Sequence, residues 1–385
     1  MITSAREIAS IFKEKFAKEP KLFFSPGRIN LIGEHVDYND GFVMPGAIDK
    51  GVFFAVAPNN TAIVNVYSAD MDQELHIGLD NIHKIEGWQN YILGVVDQLQ
   101  KRNYAINGFD AVFGGFLPVG AGLSSSAAVE CGLAFALSNI FNLDINRVDI
   151  ALISQKAEHT FPGVQCGIMD QFASVMGKKD HVLLLDCNTL DYETLPFDTE
   201  EYVIALINSK VHHSLAEGQY NVRRKQSEQG LQLLKEKYPD AKTFRDITPQ
   251  QVRDVKSAFE EMDVYNRCLY VTEEIERTKK GAELLKNGDK KGFGELMYKT
   301  HEGLSKLYNV SCEELDFLVE CAKEHCEIIG SRLMGGGFGG CTINLIKKNE
   351  VEEITTAIVK KYKEKFEIDA EVYVMHLSDG THLLD

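Results

Sequence analysis

Residues 118–128 read Pro-Val-Gly-Ala-Gly-Leu-Ser-Ser-Ser-Ala-Ala, between a predicted strand at Asp110–Phe113 and a predicted apolar helix at Ser126–Phe141. Glycines let a backbone approach an anion closely, and the first N–H groups of a following helix point at it with the positive end of the helix dipole. The serines add hydroxyl donors for phosphate and a neutral oxygen for magnesium. A loop whose serines only cap the helix explains the stretch equally well. It is not a Walker A loop, because Gly-Lys-Ser/Thr occurs nowhere in the chain.

A second glycine-rich segment, Gly-Gly-Gly-Phe-Gly-Gly at residues 335–340, formally contains G-x-G-x-x-G. The dinucleotide fingerprint follows a strand and opens a helix, whereas this segment leads into a predicted strand at Cys341–Ile346. The context therefore excludes that fingerprint. Five glycines in six residues exceed what a tight turn needs. We therefore favour a backbone that approaches a ligand, or a tightly packed catalytic loop, over a plain turn.

A third stretch, Gly-Arg-Ile-Asn-Leu-Ile-Gly-Glu-His-Val-Asp-Tyr at residues 27–38, combines charged and amide side chains with two glycines. Acidic and imidazole groups can pair sugar hydroxyls, and glycines allow close approach. A polar surface loop is the alternative. The apolar Ile29, Leu31 and Ile32 between the charges indicate a partly buried loop, and buried charges need a partner or a function.

Two further acidic residues, Glu158 and Asp170, become candidates for a functional site only because the three motifs accompany them. Taken singly, Glu158 at the end of a predicted helix is typical of a solvated position, and Asp170 is typical of a helix N-cap. Together with the three motifs, both become candidates for binding or catalysis.

Composition narrows the classes of partner. The chain has 385 residues and a formal net charge of −16, which argues against nucleic acid or an anionic membrane as a partner. A nucleotide remains possible, because a pocket can be locally positive in an acidic protein. The eight cysteines are scattered without short repeated spacings, which favours reduced thiols. We find no signal peptide, and no run approaches the roughly 20 apolar residues that span a bilayer. We therefore expect a cytoplasmic protein.

Strands and helices are mixed without the regular alternation of a doubly wound sheet, which predicts an α+β fold. The runs Val52–Ala57 and Ala62–Tyr67, joined by Pro-Asn-Asn, suggest a hairpin. Ser311 and Glu314 form a predicted capping box. Composition becomes more charged and helical after about residue 200. We therefore expect two domains, residues 1–200 and residues 201–385.

The three motifs together resemble the galactokinase family of the GHMP superfamily. Residues 27–38 match the family's sugar signature nearly position for position, residues 118–128 resemble its phosphate-binding motif, and Leu333–Gly340 resembles its C-terminal glycine motif. The resemblance implies a two-domain GHMP-kinase fold, with the active site between the domains. It further implies that ATP phosphorylates the C1 hydroxyl of D-galactose with Mg²⁺ as cofactor. We also expect the chain to be a monomer.

The resemblance also assigns roles by position. Asp170 matches the family's catalytic aspartate, and Arg28 matches the arginine that stabilises the transition state. The sugar contacts that it implies are Glu34, His35, Val36, Asp37, Gly167 and Tyr220. The ATP contacts are Ser68, Gly120, Ala121, Gly122, Leu123, Ser124, Ser125 and Ser126, and the magnesium ligands are Ser126 and Glu158.

Two alternatives remain open at this level. Another GHMP sugar kinase, acting on N-acetylgalactosamine or arabinose, would share most of these residues. A galactose- and ATP-binding regulator without activity would resemble galactokinases that have lost part of the serine loop. Ser124–Ala128 is intact here, which places the regulator second.

Overall fold

The computed structural model describes residues 4–115, 117, 122–197, 200–212 and 216–384. Within these residues the helices are α1 (Ala5–Phe16), α2 (Gln89–Lys101), α3 (Ser125–Ile140), α4 (Arg147–Thr160), α5 (Met169–Met176), α6 (Ala216–Lys237), α7 (Pro249–Asp254), α8 (Met262–Lys286), α9 (Lys290–Gly303), α10 (Glu313–Lys323) and α11 (Val351–Phe366). The strands are β1 (Lys21–Asn30), β2 (Phe42–Val43), β3 (Pro45–Pro58), β4 (Ile63–Ser68), β5 (Gln73–Gly78), β6 (Phe109–Gly115), β7 (His181–Asp186), β8 (Tyr192–Pro196), β9 (Tyr202–His212), β10 (Ile328–Met334), β11 (Gly339–Lys347), β12 (Glu371–Met375) and β13 (His382–Leu383). Helices and strands do not alternate regularly, and the predicted α+β class is confirmed.

A six-stranded sheet supports the N-terminal half, in the order β13-β1-β3-β6-β4-β5. Side chains of β3 alternate between its faces, as the period of two in a strand requires. Phe54 and Val56 pack into the large core that includes α2–α5, while Ala55 packs against Ile8 and Phe12 of α1 on the opposite face. The sheet is therefore covered on both sides, and its strand ends are free to carry the loops of a site.

The predicted hairpin between the runs 52–57 and 62–67 is wrong. Strand β6 lies between β3 and β4, antiparallel to β3 and parallel to β4. The connecting turn is tied to the start of β6 instead, because Asn59 N donates to the Gly108 carbonyl and Gly108 N donates to the Thr61 carbonyl. A Cβ on Gly108 would clash with the carbonyls of Thr61 and Ile63, so only glycine lets β6 enter there. Local pattern cannot reveal such a long-range insertion.

The C-terminal half is built on a four-stranded antiparallel sheet in the order β10-β11-β9-β12. Strand β9 again alternates faces: Ala205 and Ile207 pack with α10 and α11. Ile204 and Leu206 belong to a separate cluster that contains α9 and part of β1. One face of this sheet is thus covered by α10 and α11, and the other by α9 and by residues of the N-terminal half.

The two halves are also joined at the chain end. Strand β13 pairs with β1, and Ile48 forms an isolated bridge with Leu377. A small sheet, β2-β7-β8, completes the N-terminal half. We propose a domain boundary near residue 200, between β8 and β9, with residues 376–384 returning to the first sheet.

Helix α10 begins without the predicted capping box. Its N-cap is Cys312, which makes no side-chain capping bond. Ser311 lies one position too early and donates its hydroxyl to Asp316 Oδ1 at 2.5 Å. Among the described residues, no helix combines the length and apolar character needed to cross a membrane.

Candidate active site

A pocket opens where the loop after β1 meets the start of α5, the first part of α6 and the segment after β10. Residues from both halves of the chain line it, and most of them are polar: Arg28, Glu34, His35, Asp37, Tyr38, Cys166, Met169, Asp170, Tyr220 and Gly335. A larger cleft along β4 and β5 contains none of the motif residues, so its size does not make it the site. Convergent charged groups, rather than volume, identify the pocket after β1 as the candidate active site.

Arg28 holds Asp170 and the glycine-rich loop at the same time. Its Nε donates to Asp170 Oδ1 at 2.7 Å, its Nη1 donates to the Gly122 carbonyl, and its backbone N–H donates to the Leu123 carbonyl at 3.2 Å. Burial by itself would lower the pKa of Arg28, but the negative charges of Asp170 and Glu34 outweigh it and the pKa is raised. The guanidinium therefore stays charged in the pocket.

Asp170 is directed at the loop and not at its own helix. It is the second residue of α5, whose N-cap is Ile168, so the alternative of a capping aspartate is wrong. Its Oδ2 accepts a hydrogen bond from Ser124 Oγ at 2.6 Å. With its side chain 26% exposed, the carboxylate remains reachable from the pocket.

The start of α3 has the features of an anion site. Ser124 occupies the N-cap position but makes no capping bond, because its hydroxyl is given to Asp170. Its backbone is left-handed, with φ 58°, a conformation that costs a residue with a Cβ about 1 kcal/mol. Ser125 and Ser126 form the first helical residues, and their N–H groups lack a side-chain cap among the described residues. A bound anion is an ordinary partner for such groups.

The glycine-rich segments of the two halves meet beside this helix start. A Cβ on Gly122, whose φ is 70°, would lie 3.4 Å from the Met334 carbonyl and 3.9 Å from Gly335 Cα. Gly120 and Ala121 lie outside the described residues. The part of the loop that is described thus faces the C-terminal glycine segment across a short gap.

Asp37 and Gly167 fit together closely. A Cβ on Gly167 would overlap the Asp37 carboxylate, so glycine is required for Asp37 to keep its place. Burial raises the pKa of Asp37 to about 7, and the negative charges of Asp170 and Glu34 contribute in the same direction. Asp37 therefore titrates near neutral pH.

His35 is held by hydrogen bonds on both ring nitrogens. Nε2 lies 3.2 Å from the Gly336 carbonyl, which can only accept, so Nε2 carries the proton. Nδ1 then accepts from Tyr38 Oη at 2.8 Å, and Tyr38 Oη lies 2.9 Å from Tyr308 Oη. Burial lowers the pKa of His35 to about 4, so the ring is neutral at physiological pH. Because both ring nitrogens are already hydrogen-bonded, His35 can contact a ligand only through the face of its ring or through its backbone.

The other residues expected to contact sugar or ATP, Tyr220, Val36 and Ser68, differ in their position relative to the pocket. Tyr220 lines it, with its ring centroid 5.6 Å from that of His35 and 5.3 Å from that of Tyr38. Val36 points into the apolar core, so only its backbone can face a ligand. Ser68 is buried at the end of β4 beside Phe113, outside the pocket lining.

Glu158 and Ser126, the two residues expected to bind magnesium, lie within hydrogen-bond distance of each other. Burial raises the pKa of Glu158, with Asp170 adding to it, while Ser126, Cys166 and Gln171 hydrogen-bond to the carboxylate and act in the opposite direction. Gln171 Nε2 donates to Glu158 Oε2 at 2.5 Å. No group of three or more His, Cys, Asp or Glu side chains in the described residues could enclose a metal. One carboxylate and one hydroxyl fit Mg²⁺, which keeps most of its ligands from phosphate and water.

Sequence reasoning missed several residues of this site. Arg332 is fully buried and its Nη1 donates to Glu34 Oε2 at 2.7 Å. A lone arginine in the apolar run of residues 328–334 was a usable signal, because a buried charge needs a partner. Tyr308 contacts the Tyr38 hydroxyl that is bonded to His35. Nothing in the sequence around residue 308 indicated that it belongs to the site.

Comparisons with known proteins agree with the fold and the motifs. Three family models match: the galactokinase galactose-binding signature at residues 10–58, the GHMP kinases N terminal domain at 90–178, and the GHMP kinases C terminal domain at 282–364. Galactokinases from Fusobacterium nucleatum subsp. nucleatum and Thermotoga maritima are 40% and 39% identical, over 96% and 92% of this chain and 97% and 98% of theirs.

Solved structures give the same result. Lactococcus lactis galactokinase, solved in complex with galactose, superposes with a TM-score of 0.94 at 33% identity, covering 98% of both chains. The mevalonate kinase of Methanococcus jannaschii shares only the fold, with a TM-score of 0.64 at 20% identity over 94% of this chain and 99% of that one.

The fold, with its glycine-rich loop at the start of α3 and its C-terminal glycine segment, is that of a GHMP kinase, an ATP-dependent phosphotransferase. Within that class, the chain belongs to the galactokinase family. It is therefore an ATP-dependent sugar kinase.

Proposed function

We propose that this enzyme transfers the γ-phosphoryl group of ATP to the C1 hydroxyl of D-galactose, giving α-D-galactose 1-phosphate and ADP. The observation that carries this proposal is the Arg28–Asp170 pair, which lies between the acidic loop of Glu34 and Asp37 and the glycine-rich loop at Gly122. Sugar and phosphate would thus meet at one charged pair. The galactose complex of the Lactococcus lactis relative supports the choice of sugar.

In this proposal Asp170 acts on the attacking hydroxyl. Its carboxylate accepts or orients the proton of the C1 hydroxyl, a role worth roughly 10²–10⁴ in rate for a positioned base. Arg28 neutralises charge on the moving phosphoryl group, which preorganised donors do effectively in a pocket that excludes water. Both residues are held in place by bonds to the same loop, since Ser124 binds Asp170 and Gly122 binds Arg28.

The nucleotide and the cation would occupy the start of α3. The uncapped N–H groups of Ser125 and Ser126 suit the phosphates. Ser126 and Glu158 would hold Mg²⁺, which, when bound, draws charge from the phosphate oxygens. Gln171 would keep Glu158 oriented through its bond to Oε2.

A coupled ADP-release assay over a panel of sugars tests the function. We expect Mg²⁺-dependent turnover of galactose, and a kcat/KM for glucose lower by roughly 10² or more, because buried polar groups such as Glu34 are left unpaired by a misplaced hydroxyl. Equal values for the two sugars would contradict the proposed specificity. Preference for N-acetylgalactosamine or arabinose would assign another sugar kinase, and galactose binding without ADP release would assign a regulator.

The affinity for galactose should depend on pH through Asp37. Below its pKa of about 7 this carboxyl is protonated and offers one acceptor fewer to sugar hydroxyls. We expect the galactose Kd to rise as pH falls from 8 to 6, approaching a tenfold rise per unit below the pKa. Calorimetric titration without nucleotide measures it, and Asp37→Asn should bind weakly with little pH dependence. A wild-type Kd that is constant over this range would remove Asp37 from sugar recognition.

We also propose that the enzyme is a cytoplasmic monomer. All eight cysteines are free thiols, and several are buried, which suits a reducing compartment. Light scattering after gel filtration, run with the activity assay, would detect a dimer.

A further inference from the structure

Arg332 joins the two halves of the chain at the base of the pocket. It lies on β10, three residues before the glycine-rich segment. Its Nε donates to the Leu31 carbonyl at 2.8 Å, its Nη2 donates to the Asn30 carbonyl, and its Nη1 donates to Glu34 Oε2. The three acceptors lie at the end of β1, at Asn30, and in the loop that follows it.

Both charges of this pair are withdrawn from water. The side chain of Arg332 is 0% exposed and that of Glu34 is 3% exposed. A buried ion pair is tolerated when further hydrogen bonds satisfy both partners, and removing one partner leaves an uncompensated charge. Arginine suits this position because its planar guanidinium can reach backbone carbonyls and a carboxylate at once, whereas lysine presents a single ammonium.

The bonds to Glu34 are unevenly distributed over its carboxylate. Arg332 Nη1 at 2.7 Å and Asn30 Nδ2 at 3.2 Å both donate to Oε2. Glu34 also lines the pocket, so Oε1 is the oxygen left for a ligand. The backbone carbonyl of Glu34 accepts from Tyr270 Oη at 2.9 Å, which holds the main chain from another side.

We propose that Arg332 is a positioning residue for galactose binding, which fixes Glu34 through Oε2 so that Oε1 faces a sugar hydroxyl. This inference rests on the proposed role of Glu34 in sugar binding. Arg332 itself does not line the pocket. Its effect should therefore appear in the binding of sugar and much less in the chemical step or the binding of ATP.

The test compares Arg332→Lys with Arg245→Lys. Arg245 donates to Asp186 Oδ1 at 2.7 Å, the same distance as in the Arg332–Glu34 pair. Neither Arg245 nor Arg332 lines the pocket. For Arg332→Lys we expect the galactose Kd and KM to rise by roughly tenfold or more, since bonds to a charged group are lost. The kcat and the KM for ATP should stay within about threefold of wild type, and Arg245→Lys should change none of these values.

Two further measurements separate positioning from a general structural role. Glu34→Gln and the double variant complete a double-mutant cycle, in which Arg332→Lys should add little once Glu34 is changed. Among the monodeoxygalactoses, the one that lacks the hydroxyl bound by Glu34 should have the same Kd for wild type and for Arg332→Lys. If Arg332→Lys does not fold, the double variant of Arg332→Met and Glu34→Gln, which removes both charges, is compared with Glu34→Gln alone, and the two should bind galactose equally weakly.

The outcomes distinguish this inference from the proposed function. If Glu34→Gln weakens galactose binding and the Arg332 variant only lowers the melting temperature, the positioning role is overturned and the role of Glu34 stands. If Glu34→Gln binds galactose normally, the positioning role of Arg332 and the role of Glu34 in sugar binding are both overturned. Galactose turnover by the wild-type enzyme is judged separately from either result.

Discussion

Asp170→Asn is expected to lower kcat by roughly 10² or more, while the protein stays folded and binds galactose and ATP nearly as wild type. Asparagine keeps the size of the side chain but cannot take a proton, and it removes the negative charge beside Arg28. Its amide oxygen can still accept the bond that Arg28 Nε donates at 2.7 Å. Steady-state kinetics and galactose titration give the rate and the affinity, and a thermal melt checks the fold.

Asp186→Asn is the matched control, because Asp186 accepts from Arg245 at the same 2.7 Å but lies away from the pocket. Loss of an ion pair as such would affect both variants alike. A folded Asp170→Asn enzyme that binds sugar and turns over at a near wild-type rate would remove Asp170 from the mechanism. The catalytic proposal would then depend on Arg28 and the loop around Gly122.

Gly167→Ala should reduce kcat/KM for galactose by about 10², mainly through KM. The added methyl group overlaps the Asp37 carboxylate, so the carboxylate must move. A displacement of about 1 Å in a group that positions substrate can cost such a factor. The backbone at Gly167 does not have a positive φ, so the substitution introduces a steric clash without backbone strain. Kinetics with galactose and with ATP as the varied substrate measure the effect.

Gly218→Ala provides the comparison for this variant. A Cβ at Gly218, in α6, would meet no atom within 4 Å, and alanine is the better helix former. We expect wild-type kinetics and equal or slightly higher stability. A Gly167→Ala enzyme with an unchanged KM for galactose would show that Asp37 does not need its present position for binding.

Much of the candidate site was readable from the sequence, because its chemistry is concentrated in short segments. Arg28, Glu34 and Asp37 lie within one short segment, residues 27–38, at the end of β1 and in the loop after it. The glycine-rich stretches indicate where the backbone comes close to a neighbour. The roles that the family resemblance assigns to these residues remain predictions. The protonation states of the site residues, such as the neutral state of His35, depend on burial in the folded protein, which no short segment of sequence reveals.

The sequence by itself determined the fold class, the apolar helix that follows the serine loop and the membership of the galactokinase family. The fold class and the helix follow from periodicity and composition over about ten to twenty residues, the range over which helices and strands show their pattern. The family was identified from the resemblance of three short motifs, at residues 27–38, 118–128 and 333–340, to those of galactokinases. Only the tertiary structure decided that β6 separates β3 from β4, that Ser124 binds Asp170 rather than capping α3, and that Arg332 holds Glu34. Each of these contacts joins residues far apart in the chain, 298 positions in the last case. Such pairs are selected by the packing of whole elements and by the need to satisfy buried polar groups, which no local pattern encodes.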